Sequence, residues 1–186
     1  DLIKNGIYED SFLLEDIIVA DSAGSKYSKH HQLCGGTIIN NSGKAELLDN
    51  AKVKYINSHY QDKKIAIFYK FVAEREMLIK YLKKKIVNTP EEFNSTDENY
   101  TILYQYQSGS MGINLSSADV IISYNIDPSA STYNQFRDRI QSYKREKPPV
   151  CDFLISNLEL DMKIYDSLQK KKEFTEIHYR KEFLKC

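Results

Sequence analysis

Cysteine is scarce in this chain, and its three residues, Cys34, Cys151 and Cys186, are odd in number and include no Cys-x-x-Cys pair. That argues against a disulfide framework or a Cys-rich zinc site and fits a reducing, intracellular setting. Net charge is also missing: 26 basic residues balance 26 acidic ones, so no global field draws the chain to nucleic acid or to a membrane surface. Any nucleic-acid contact must then be local. No apolar run approaches the length of a membrane span, and the N-terminus has no basic region leading into an apolar signal segment. Tryptophan is absent, and no internal repeat or low-complexity tract occurs beyond short lysine runs.

What remains is a composition ordinary for a globular protein, rich in Tyr, Lys, Ile and Asn, in 186 residues that suit one domain with a small appendage. Opening on Asp1 rather than Met, the chain reads as an excised part of a longer one. Residues 1–42 read as a helical lead-in segment. Within it His30 to Cys34 run into Gly35-Gly36, a turn or a helix end. From Ser42, a candidate helix cap, the residues Leu47, Leu48, Ala51 and Tyr55 fall on one helical face.

The run Ile65-Ala66-Ile67-Phe68-Tyr69 is short and continuously apolar, as a central parallel strand buried on both faces must be. Phe71 to Lys85 returns to helical spacing through Met77, Leu78, Tyr81 and Leu82. Thr101–Tyr104, Val120–Tyr124 and Val150–Ile155 are further strand candidates, and Leu158–Lys171 closes the series as a helix. Strands alternating with helices predict an α/β fold, a parallel sheet flanked by helices. Residues 43–172 form this unit, and 173–186 read as a C-terminal helical tail in which Tyr179 and Arg180 are exposed or meet a partner.

Ligands of open parallel sheets sit at the carboxyl ends of the strands. There the stretch Gln107-Ser108-Gly109-Ser110-Met111-Gly112-Ile113-Asn114-Leu115 stands out. Its glycines and serines, read as opening a helix, present N–H groups and hydroxyls suited to a phosphate of a nucleotide or of a nucleic-acid backbone. Three lesser features compete with bland readings. His30, His31 and Cys34 suggest metal ligands but fit a packed helix end better. Lys80, Lys83, Lys84 and Lys85 suit DNA phosphate or a solvated helix face equally. The basic run at Lys170–Lys172 belongs to the tail.

The continuous stretch SGSMGINLSSADVIISYNIDPSASTYNQFRDRIQ resembles motifs V and VI of Swi/Snf-type superfamily 2 helicase-like ATPases. Gly112-Ile113-Asn114-Leu115, Ala118-Asp119, the strand through Tyr124, Asp127-Pro128, and Gln135, Asp138 and Arg139 match in order and spacing. Lys63–Phe71 resembles motif IV, Ser42-Gly43-Lys44 the helix before it, and Gln32-Leu33-Cys34 the stretch ahead of that. Leu160-Asp161 with Ile164, Leu168 and Lys171 looks like the closing helix. The likeness covers roughly residues 30–172, and compactness with AT-rich residue usage points to smaller phage- or virus-like members.

The resemblance implies a C-terminal RecA-like lobe of a DNA-dependent ATPase or helicase. Arg139 would be catalytic, entering an ATP cleft between lobes, as its always-charged fork is suited to phosphate oxygens. Gln135, Arg145 and Gly112 would serve the nucleotide, and Ser108, Gly109 and Ser110 the DNA backbone. The family's second arginine, three residues after the first, is replaced by Ser142, and loss of such a finger costs about 10³-fold or more in rate. Either Arg137, Lys144 or Arg145 takes its role, Arg145 foremost, or the motor is slow or inactive. Nothing here completes a P-loop: Gly43-Lys44 is followed by Ala45, and Ile38 stands where the first glycine belongs. ATP and Mg²⁺ would then be held mainly by an N-terminal lobe of the parent, the implied partner beside DNA. The competing class is a degenerate, non-hydrolysing lobe that binds DNA or aids assembly.

Overall fold

The computed structural model describes residues 7–8, 18–107, 113–138 and 150–184. Its centre is a five-stranded, wholly parallel sheet of β5 (Ile65–Tyr69), β6 (Ile86–Val87), β7 (Thr101–Gln105), β8 (Val120–Ser123) and β9 (Val150–Phe153). The spatial order is β6-β7-β5-β8-β9, so β5 is central and flanked by β7 and β8. Every residue of β5 is buried, as its unbroken apolar run requires.

Alternate residues of β5 serve two different cores. Ile65, Ile67 and Tyr69 pack with Val53 and Ile56 of α2 (Ala51–His59) and with Met77 and Leu78 of α3 (Val72–Tyr81). Ala66 and Phe68 point the other way. They meet Phe93 of α4 (Pro90–Ser95) and Phe136 of α5 (Ala130–Asp138). Asp119 aligns the sheet, because its carboxylate accepts the Lys64 amide at 2.8 Å while its own amide donates to the Lys64 carbonyl at 2.8 Å. The sheet flanked by helices is therefore the architecture that the alternating pattern predicts.

A third core joins distant parts of the chain. Cys34 of α1 (Ala23–Cys34) packs with Tyr133 of α5, with Leu160, Ile164 and Leu168 of α6 (Leu160–Gln169), and with Tyr179 of α7 (Glu176–Phe183). Helix α1 begins at Ser22, whose hydroxyl accepts the Ser25 amide at 3.1 Å. It ends at Gly35, as the Gly-Gly pair predicts.

Several local expectations are corrected. Ser42 caps no helix. Two-residue strands β1 (Ile7–Tyr8) and β2 (Ile18–Val19) pair antiparallel, and so do β3 (Thr37–Ile39) and β4 (Ala45–Leu47). The turn between β3 and β4 is set by Asn40, whose side-chain oxygen accepts both the Ser42 and Lys44 amides, and by Gly43 at φ +82°. The helix expected from Ser42 starts only at Ala51, as α2. Helix α3 stops at Tyr81, so Lys83, Lys84 and Lys85 lie on the link to β6. No helix follows the Gly-rich stretch in its described part, residues 113–119. There Leu115 and Ala118 pack in the Phe93 core, and Asn94 binds the Asn114 carbonyl and Ser117.

Candidate functional site

In a parallel sheet all carboxyl ends lie along one edge, and register places Tyr69 beside Gln105 and Phe68 beside Ser123. Three of the five exits from this edge lie side by side at the middle of the sheet: from β5 through Lys70, from β7 through Tyr106 and Gln107, and from β8 through Asn125 and Asp127. Lys70 joins the three exits. Its amide donates to Glu74 Oε2 at 2.8 Å, its carbonyl accepts from Gln105 Nε2 at 3.1 Å, and its ammonium donates to Asp127 Oδ2 at 2.7 Å.

Glu74 is fully buried beneath these turns. Its carboxylate accepts the Lys70 and Phe71 amides and, at 2.5 Å, the Asn125 side-chain amide. Burial raises its pKa, and those three donors oppose the rise. Asn125 also donates to the His31 carbonyl at 2.9 Å, and His31 Nε2 meets the Ile126 carbonyl at 3.0 Å. Burial, aided by Lys70, pushes the His31 pKa down to about 3, so the ring is neutral. A sequence-level sign of Glu74 existed, since a glutamate three residues after a helix cap position commonly turns back onto that position's amide. Asn125 carried no such sign.

A cavity of about 820 Å³ adjoins the edge beside β9, walled by Leu33, Gly36, Leu48, Tyr55 and Leu158. Lys52 borders it and donates to the Tyr124 carbonyl at 2.9 Å, while pairing with Asp161 Oδ2 at 3.4 Å. The charged groups built into this region, Lys70 with Asp127 and Lys52 with Asp161, thus neutralise one another.

Of the site residues predicted from sequence, Gln135 is described, exposed on α5 with Tyr133 and Phe136 as the buried face. Arg137 lies with its guanidinium 5.7 Å from the Tyr133 ring. Ser108, Gly109, Ser110, Gly112, Arg139, Ser142, Lys144 and Arg145 lie outside the described residues. His30 and His31 are buried, His30 against Tyr179 and Phe183, and burial raises the Cys34 thiol to about 11. The Lys84 ammonium binds the Tyr60 and Gln61 carbonyls, and Lys85 binds the Tyr100 hydroxyl. Among the described residues no group of three or more His, Cys, Asp or Glu side chains is placed to hold a metal ion. No described helix is long and apolar enough to cross a membrane.

A family model described as Helicase conserved C-terminal domain matches residues 43–144, more than half of the chain. The chain belongs to that family. The lobe is 23% identical over 163 residues to the lymphoid-specific helicase of Homo sapiens, covering 80% of this chain and 19% of that protein. It is 30% identical over 146 residues to a Caenorhabditis elegans protein, the SWI/SNF-related matrix-associated actin-dependent regulator of chromatin subfamily A containing DEAD/H box 1 homolog. That match covers 70% of this chain and 14% of the relative. The lobe therefore spans a fifth or less of the curated relatives it matches.

Solved structures show the same fold. The C-terminal part of the Fun30 ATPase domain superposes with a TM-score of 0.54 at 17% identity, covering 69% of this chain and 51% of that one. The C-terminal domain of the DEAD-box protein Dbp5 superposes with a TM-score of 0.50 at 13% identity, covering 66% and 78%. The fold is a RecA-like helicase C-terminal lobe.

Proposed function

We propose that residues 43–172 form the C-terminal half of a Swi/Snf-type, ATP-driven DNA translocase or helicase, with 1–42 leading in and 173–186 as its tail. The observation that carries this reading is the common edge. There β5 opens into Lys70, β7 into the Gly-rich stretch, and β8 through Asp127-Pro128 into α5, which carries Gln135 and Asp138 and is followed in the sequence by Arg139. In this reading Ser108, Gly109 and Ser110 meet the DNA backbone, with Gly112 on the nucleotide side of the same stretch. Gln135 is exposed where a nucleotide can reach it. Arg139 meets the phosphates as the cleft closes, where a preorganised charge is worth most. Arg145 supplies the cation that Ser142 does not. ATP and Mg²⁺ would be held mainly by an N-terminal lobe.

The test is ATPase turnover of the two-lobe protein with and without duplex DNA. DNA-stimulated turnover is expected. Arg139→Ala should lower it about 10²-fold or more with DNA affinity kept. Ser142 favours a second reading, a non-hydrolysing lobe that binds DNA or aids assembly. Retained DNA binding without turnover, together with a large gain in Ser142→Arg, would establish that reading. A loss of turnover in Arg145→Ala would establish compensation instead.

A further inference from the structure

Lys70 stands where three segments would otherwise end independently of one another. Gln105 closes β7 and lies three residues ahead of Ser108, and its side chain donates to the Lys70 carbonyl. Asp127 lies between β8 and α5. One of its oxygens accepts the Ser129 amide at 2.9 Å at the start of α5, and the other takes the Lys70 ammonium at 2.7 Å. Glu74, buried and held by three donors, fixes the Lys70 amide from below.

A lysine leaving a strand usually extends into water, and an exposed ion pair contributes little. Here the paired side chains are only 20% and 10% exposed. Removing one partner would leave the other's charge poorly solvated. Contacts on the backbone and on the ammonium of one residue thus bind the strand end before the Gly-rich stretch to Asp127, whose other oxygen holds Ser129 just ahead of α5.

We infer that Lys70 is a positioning residue that couples the segment after β7 to helix α5. The inference rests on the motor reading, in which the first segment meets DNA and the second presents Arg139 to ATP. In this inference Lys70 acts through Gln105 and Asp127. DNA pressing on the Gly-rich stretch shifts Gln105 against the Lys70 carbonyl. The Lys70 ammonium carries the shift to Asp127 and so to the start of α5.

The experiment compares ATPase rates of the two-lobe protein with and without saturating duplex DNA, alongside melting temperature. Lys70→Met should lower the DNA stimulation ratio about fivefold or more, the range of a typical coupling energy, with a much smaller effect on the DNA-free rate. Lys70→Arg, which keeps a cation opposite Asp127, should restore most of the ratio. Asp127→Asn should reproduce the loss, and Lys70→Met combined with Asp127→Asn should be no worse than either alone. A ratio kept in Lys70→Met overturns the inference. So does a parallel fall of both rates with melting temperature that Lys70→Arg does not relieve. A wild-type protein without DNA-stimulated turnover sinks the motor reading and this inference with it, whereas a stimulated wild type with an unaffected Lys70→Met sinks the coupling alone.

Discussion

At the scale of single residues, Gly35 and His31 show how tightly α1 is fitted to the sheet edge. Gly35 has an ordinary right-handed backbone, so conformation alone does not demand glycine there. A Cβ at that position would lie 2.1 Å from Glu74 Oε1, and that carboxylate is locked by its donors. Gly35→Ala should therefore lower stability by about 1–3 kcal/mol, as overpacking does. Gly43→Ala meets nothing within 4 Å and should show only the cost of its left-handed backbone, about 1–2 kcal/mol. Denaturant unfolding of both variants checks the contrast. His31 adds a pH dependence. The unfolded chain binds a proton near the ordinary value of 6.5 that the folded ring refuses until about 3. The stability from neutral His31 is thus complete above pH 6.5 and is lost as pH falls towards 3, by about 1.4 kcal/mol per unit. His30, also lowered by burial, acts in the same direction. Glu74 acts in the opposite one, because its raised pKa favours the fold as pH falls towards the ordinary carboxylate value of 4.5. Unfolding free energy should decline between pH 7 and pH 5, and His31→Gln should flatten the decline by about one proton's slope.

At the scale of elements, α7 lies in the tail whose Tyr179 and Arg180 the sequence reads as exposed or meeting a partner, and it packs against α1. Arg180 is exposed and pairs with Glu176, but Tyr179 is fully buried against Tyr27 and His30 of α1. Its hydroxyl has no hydrogen-bond partner among the described residues. Tyr179→Ala should destabilise by about 3–5 kcal/mol, as loss of a buried aromatic does. Tyr179→Phe should leave stability unchanged or raise it by about 1 kcal/mol, since it removes an unsatisfied polar group. Thermal unfolding of the pair separates packing from hydrogen bonding. The elements also show what a sequence can reveal. The run Ile65–Tyr69 declares a central strand because both of its faces are apolar. The hairpin from Thr37 to Leu47 does not declare itself. Its strands are three residues long, too short to display a period of two, and Leu47, Leu48, Ala51 and Tyr55 happen to fit a helical spacing. Its turn depends on the Asn40 side chain gathering two amides, which no periodicity reports. The same holds at the candidate site. The strand ends were readable, but the Asn125–Glu74 contact joins residues 51 positions apart and arises only once the sheet forms.

At the scale of the molecule, the described residues contain a complete sheet with helices on both faces and a third core beyond its carboxyl edge. The isolated chain should therefore fold and unfold cooperatively. It should not hydrolyse ATP, because its sequence completes no P-loop. DNA-stimulated phosphate release by the purified chain would contradict this. Its DNA binding should be weak, with a shallow salt slope, because a chain of zero net charge has no excess of cations with which to neutralise phosphates. Tight binding that persists at high salt would reveal a larger basic surface. The clasp of α1 by α6 and α7 has a further consequence during synthesis. Helix α1 leaves the ribosome well before Phe174, Tyr179 and Phe183, the residues that cover Tyr27 and His30. Contacts that span so much of the chain form late and slowly. The apolar side of α1 must therefore wait, uncovered, while some 150 residues are translated, a count set by the 147-residue separation of Tyr27 and Phe174. Nascent chains arrested before Phe174 should recruit chaperones through α1, and chains released after Phe183 should not.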